Sequence, residues 1–90
     1  VNEDEKRKIR AKKIEKLISQ WRHSVQVAIQ GSRKDKGLNQ ATAAERMAWT
    51  VDIMSNIEKG RRAITVAEFI VLAQQMGIDP EVMFRRVLKW

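Results

Sequence analysis

The sequence contains no cysteine, which removes disulfides, thiolate metal sites and thiol nucleophiles together. A reducing compartment fits that composition. His23 is the only histidine, and no carboxylate pair falls in a pocket-like pattern, so the residues for catalysis or metal ligation at any usual spacing are missing. The expectation is therefore not an enzyme, with no cofactor and no metal. Long apolar runs are also missing; the longest is far too short to span a bilayer, and the N-terminus is charged rather than signal-like. A soluble cytoplasmic protein with no membrane partner is the simplest reading. Breakers are scarce, at four glycines and one proline. No alternating strand pattern lies between turns, so the fold should be all-α.

What the chain does have is charge and helical periodicity. Ninety residues with 43% hydrophobic content suit one compact domain, since two cores would leave too little buried surface for each. The formal net charge is +7. Residues 1–16 hold seven Lys/Arg against four Asp/Glu, and residues 17–90 hold eleven against seven. The excess is thus +3 and +4, spread over the chain rather than confined to a tail. Such a field favours polyanions, nucleic acid above all.

Five helices can be placed. Asn2, Glu3, Asp4 and Glu5 are helix-start signals, because capping oxygens and acids satisfy free amides at the positive end of the dipole. From Ile14 onward an apolar stripe of Ile14, Leu17, Ile18, Trp21, Val25, Ala28 and Ile29 keeps its phase at 100° per residue. This predicts one long helix to about Lys34, with Ser24 as an alternative restart. Residues 1–12 carry no part of the stripe and are the stretch most prone to fray. Lys36-Gly37 reads as a helix stop. Asn39 caps a second helix to about Met47, and Thr50 caps a third to about Lys59, closed by Gly60. Thr65 and Glu68 form a capping box for the fourth, with Ile64 stapled onto Phe69. Its inward side is predicted as Phe69, Ile70, Leu72, Ala73 and Met76. Asp79-Pro80 starts the fifth, with Val82, Met83, Val87 and Leu88 as its apolar face. The expected organisation is a charged helical extension over 1–20 and a domain over 21–90, with the turn-bearing motif at 39–60.

Two helices joined by so short a turn are held at a steep angle, an arrangement suited to the DNA major groove. The stretch GLNQATAAERMAWTVDIMSNIEKGRR, residues 37–62, resembles the helix-turn-helix of the phage-repressor-like (Xre-type, lambda-repressor-like) family. Gly37, Leu38, Gln40, Ala44, Met47, Thr50, Ile57, Glu58 and Gly60 match that pattern without a gap. The following RRAITVAEFIVLAQQMGIDPEVMF is similar to the later helices of short bacterial regulators of this kind. The resemblance covers about residues 25–84. It implies a five-helix lambda-repressor-like DNA-binding domain, here with an extended N-terminal helix, in a cytoplasmic, nucleoid-associated protein of bacterial or phage origin. Two residues depart from the family's usual pattern. Ala48 stands where glycine is usual in the turn, which costs on the order of 1 kcal/mol if the conformation stays left-handed. Trp49 replaces a smaller aliphatic residue.

The site follows residue by residue. On the third helix Val51, Asp52, Ser55 and Asn56 are the base-edge candidates, with Met54 and Ile57, or alternatively Ile53, pointing inward. Asn56 can pair with adenine, Val51 can touch a thymine methyl, and Ser55 can donate or accept. Asp52 can accept from cytosine or simply complement the helix dipole. Asn39 and Gln40, at the start of the second helix, and Lys59, Arg61 and Arg62, after the third, are the phosphate-contact candidates. Three loop cations per subunit make six contacts per dimer and a log–log salt slope of about −5. The resemblance also implies a structural ion pair between Arg33 and Glu58.

The leading expectation is a sequence-specific regulator of transcription, a repressor that occupies an inverted-repeat operator on double-stranded DNA as a homodimer. With no separate effector domain, occlusion is the economical mechanism, and activation through polymerase is the other. Either the first-helix stripe with Trp21, or Val87, Leu88 and Trp90, offers dimer surface, unless the two pack on each other within one monomer. The alternative is an antitoxin or protein-interaction module of the same fold, whose first helix covers a protein partner. Membrane-surface binding by residues 6–21 is disfavoured because their cations are scattered around the helix.

Overall fold

The computed structural model describes residues 2–89, which form five helices and, among the described residues, no strand. These are α1 (Glu3–Asp35), α2 (Gln40–Arg46), α3 (Val51–Glu58), α4 (Val66–Gln75) and α5 (Pro80–Leu88). Each starts on a side-chain cap. Asn2, Asn39, Thr50, Thr65 and Asp79 accept from the amides of Glu5, Thr42, Ile53, Glu68 and Glu81, so the donors that a helix leaves free are met locally. Thr65 and Glu68 close a reciprocal capping box.

The helix ends share a device. After α1, α2, α3 and α4, two backbone amides turn back onto the last turn in a Schellman pattern. At the end of α1, Gly37 donates to Lys34 and Leu38 to Arg33; at the end of α3, Gly60 donates to Ile57 and Arg61 to Asn56. The pivot must take positive φ, and Gly37, Gly60 and Gly77 do so. At the end of α2 the pivot is Ala48, with φ 55°. Trp49 donates to Ala44 and Ala48 to Glu45. Alanine therefore bears the left-handed strain in the turn before α3. Ala48 is exposed, so Ala48→Gly should raise folding stability by up to about 1 kcal/mol, less the added freedom of the unfolded chain. Urea denaturation checks this.

α1 packs on α5 and α3, α2 on α3 and α4, and α4 on α5. Ile29, Met54, Leu72, Met76 and Met83 are fully buried at the centre, with Ala28, Ala43, Ala44, Ile57 and Val87 around them. Phe69 joins the core and meets the Phe84 ring edge-on, at 6.3 Å between centroids. Arg86 of α5 pairs with Asp35 and donates to Ser32 of α1, fixing α5 along the C-terminal half of that helix.

Three inward assignments need correction. Ile70, Val82 and Leu88 are exposed at 40%, 52% and 54%. α4 and α5 each bury a narrower arc than their apolar residues span, because a small domain gives an outer helix few neighbours. Val87 is buried, and Trp90 lies outside the described residues.

α1 runs unbroken through Ser24, whose hydroxyl donates back to the Gln20 carbonyl. At about 1.5 Å per residue, its 33 residues account for the 53 Å long dimension of the molecule. Its buried residues begin only at Ser24, and every residue from 2 to 23 is exposed. The N-terminal part of the helix is a protruding arm.

Candidate nucleic-acid interface

α2 and α3 are separated by Met47, Ala48, Trp49 and Thr50. Met54 and Ile57 anchor α3 to the core at 0% and 2% exposure, while Ile53 is half-buried. On the other side of the helix, Val51 and Asp52 are exposed and Ser55 and Asn56 are half-buried. Val51 with Ser55 and Asp52 with Asn56 are i,i+4 pairs, so the four form two adjoining rows on one face. Donor, acceptor, carboxylate and methyl groups are all present there.

Beneath that face lies a polar cluster. Arg33 Nε donates to Glu58 Oε2 at 2.6 Å and Arg33 Nη2 to Glu58 Oε1 at 2.9 Å. This is a bidentate pair with side chains only 8% and 1% exposed. Arg33 Nη1 donates to the Leu38 carbonyl at 2.7 Å. The bond to Glu58 holds the Arg33 pKa above its ordinary value against the opposing effect of burial. The pair joins the last turn of α1 to the last turn of α3, and through Leu38 to the entry of α2.

Gln40 belongs to the same cluster. Its Nε2 donates to Glu58 Oε1 at 3.0 Å, so the amide expected on a phosphate is drawn inward. The reason is valence: an ionised carboxylate accepts more bonds than one guanidinium supplies, and Gln40 provides another donor. Asn39 keeps its oxygen on the Thr42 amide at 2.8 Å, leaving its exposed amino group outward.

Arg62 is also redirected. Its guanidinium carbon lies 5.2 Å from the centroid of the Trp49 ring, and its Nη2 pairs with Glu68 at 2.9 Å. Its Nη1 is buried without a hydrogen-bond partner. The Trp49 face and the Glu68 carboxylate outcompete solvent for this cation. Glu68 accepts the Thr65 amide first and Arg62 second, and both bonds hold its pKa below the ordinary 4.5. A depressed carboxylate stabilises the fold above that value and loses the contribution as pH falls through the folded pKa. Trp49 thereby links the α2–α3 turn to the loop after α3, a contact invisible in sequence because 12 residues intervene. Lys59 and Arg61 are exposed and make no ion pair among the described residues. Of the three loop cations, two are thus available to a ligand.

Among the described residues no group of His, Cys, Asp and Glu could hold a metal ion, and no helix is long and apolar enough to cross a membrane.

No protein-family model matches the chain, and no curated protein matches it. A solved structure does. An "XRE-family like protein" from Pseudomonas syringae pv. tomato str. DC3000 superposes with a TM-score of 0.76 over 83% of this chain and 92% of that one, at 19% sequence identity. The five helices thus have the Xre-like helix-turn-helix fold.

Proposed function

We propose that this chain is a sequence-specific DNA-binding regulator, most economically a repressor, that occupies an inverted-repeat operator as a dimer. The observation that carries the reading is α3 itself. Val51, Asp52, Ser55 and Asn56 form an outward face on a helix pinned from behind by Met54, Ile57 and the Arg33–Glu58 pair. The exposed cations Lys59 and Arg61 stand directly after it. In this reading α3 lies in the major groove and Asn56 and Ser55 meet base edges, with Val51 against a thymine methyl. Asp52 accepts from a cytosine amino group or complements the dipole of α3. The Asn39 amino group, Lys59 and Arg61 hold the phosphates.

Binding titrations over rising salt, on selected and random duplexes, test it. With Arg62 committed to Glu68 and Trp49, Lys59 and Arg61 from two subunits make four loop contacts. The loop contribution to the salt slope is then about −3.6, shallower than three cations per subunit would give. Asn56→Ala should remove about 1–3 kcal/mol of preference at one base pair. Arg61→Ala should instead weaken all sequences alike and reduce the slope by about 1 for each phosphate it no longer neutralises. Binding that is sequence-blind at every salt concentration, or equal behaviour of the two variants, would count against the assignment.

One observation favours a second reading, a protein-interaction module or antitoxin. The α1 arm exposes Ile14, Leu17 and Ile18 at about half of their full surface, and a partner protein could cover them. In that case pull-down of a tight heteromeric partner would accompany weak or absent DNA selection.

A further inference from the structure

We propose that the protruding arm of α1 pairs antiparallel with the same arm of a second copy, about a two-fold axis at Ile14. The inference rests on the dimer in the reading above and specifies where that dimer forms.

A helix with no tertiary cover is marginal in water even at 12–15 residues, and residues 3–20 are all exposed, ahead of the first contacts of α1 with the domain. Local support is slight, with Glu3 and Lys6 at 3.7 Å as the arm's one ion pair among the described residues. Ile14, Leu17 and Ile18 are 49%, 49% and 52% exposed. They fall on one face, within about 60° of Ile14 at 100° per residue. Arg7 and Arg10 continue that face, and their methylene stems can cover apolar surface while the charged heads reach water.

Charge selects the occupant and its direction. Residues 6–13 carry six cations and no acid, whereas residues 15–22 carry Glu15, Lys16 and Arg22, a net +1. A parallel pair would stack +6 on +6. An antiparallel pair about Ile14 sets residue n near residue 28 − n, so 6–13 face 15–22 and the repulsion falls. The same register brings the acidic first turn, Glu3, Asp4 and Glu5, to the level of residues 23–25 of the other copy.

That level holds a basic cleft. Arg22, Gln26, Gly60, Arg61 and Arg62 are among the residues lining it, between α1 and the loop after α3. Asp4, ten residues before Ile14, and Arg22, eight after, both project about 80° round the helix to the same side. In an antiparallel pair equal sides face each other, so Asp4 of each copy meets Arg22 of the other, twice per dimer. The arm is thus self-complementary in its apolar face and, at its two ends, in the Asp4–Arg22 pairs.

Sedimentation equilibrium without DNA tests the pairing. Wild type should be dimeric, and Ile14→Glu and Ile18→Glu monomeric. Their core should melt as in wild type, since neither residue touches it. Asp4→Arg should raise the dimer dissociation constant about tenfold, two exposed pairs being lost. Adding Arg22→Asp to that variant should restore most of the affinity.

Because the chain has no cysteine, single cysteines report direction. Facing Cα atoms at the two-fold come within disulfide reach, whereas residues 18 of the two copies stand about 12 Å apart along the axis. Oxidised Ile14→Cys should therefore cross-link and Ile18→Cys should not. A monomeric wild type, a dimer that survives both glutamates, or equal cross-linking at 14 and 18 would overturn the proposal. Loss of DNA selection with the dimer intact would count only against the regulator reading. A monomer that still selects a sequence would count only against the pairing.

Discussion

Glu58→Ala should lower folding stability by about 3–5 kcal/mol, the cost of leaving one member of a buried ion pair alone. Arg33 would keep its contact to the Leu38 carbonyl but lose both bonds to the carboxylate. Gln40 would lose its acceptor as well. Nothing nearby replaces them, since the Arg33 side chain is only 8% exposed. Arg33→Ala should be similarly severe, leaving the carboxylate stranded. A double replacement, Arg33→Met with Glu58→Leu, should recover much of the loss, because exchanging a whole buried pair for packed apolar groups is often close to neutral. Urea denaturation of the four proteins gives the comparison directly. A loss below about 1 kcal/mol for Glu58→Ala, the range of an exposed pair, would show that the cluster is solvated in solution.

The second large effect belongs to Met54→Ala, expected to cost about 2–5 kcal/mol. Met54 is 0% exposed and sits on the inner side of α3. An eight-residue helix cannot hold its shape alone, so its geometry depends on Met54, Ile57 and the Glu58 anchor. Truncation leaves a cavity directly under the outward face, which collapse would fill by tilting α3. DNA affinity should therefore fall further than the fraction of unfolded protein explains. Met54→Leu, which nearly conserves volume, should cost under about 1.5 kcal/mol and leave affinity near wild type. The pair of variants separates lost packing from lost sulfur, and both can be read from one denaturation series and one titration.

How much of this is legible in the sequence depends on range. The five N-caps are local signals, each a side chain bonded two or three residues ahead, and so are readable. So are Gly37, Gly60 and Gly77 at their left-handed positions. The left-handed Ala48 follows from its place in a recognisable turn. Met54 and Ile57 follow from helical spacing. Spacing cannot show how wide an arc the neighbours cover, which is why Ile70, Val82 and Leu88 read as inward although they face water. Nor can it show Gln40 on Glu58, 18 residues away, or Arg62 between Trp49 and Glu68. Side chains with several donors choose among partners by proximity in space. The hint for Arg62 is the unusual Trp49, a large aromatic face in a tight turn followed by a loop rich in cations.

α1 is one helix in geometry and two in energetics. From Ser24 to Asp35, opening it means dismantling the core, so amide protons there should exchange only at the free energy of global unfolding. From Glu3 to Gln20 every residue is exposed and one ion pair, Glu3 with Lys6, adds to the helix's own hydrogen bonds, so exchange should quicken over a few turns of unbroken backbone. Association of two arms would move that boundary toward the N-terminus without altering a single dihedral angle, making this one rod a gauge of assembly.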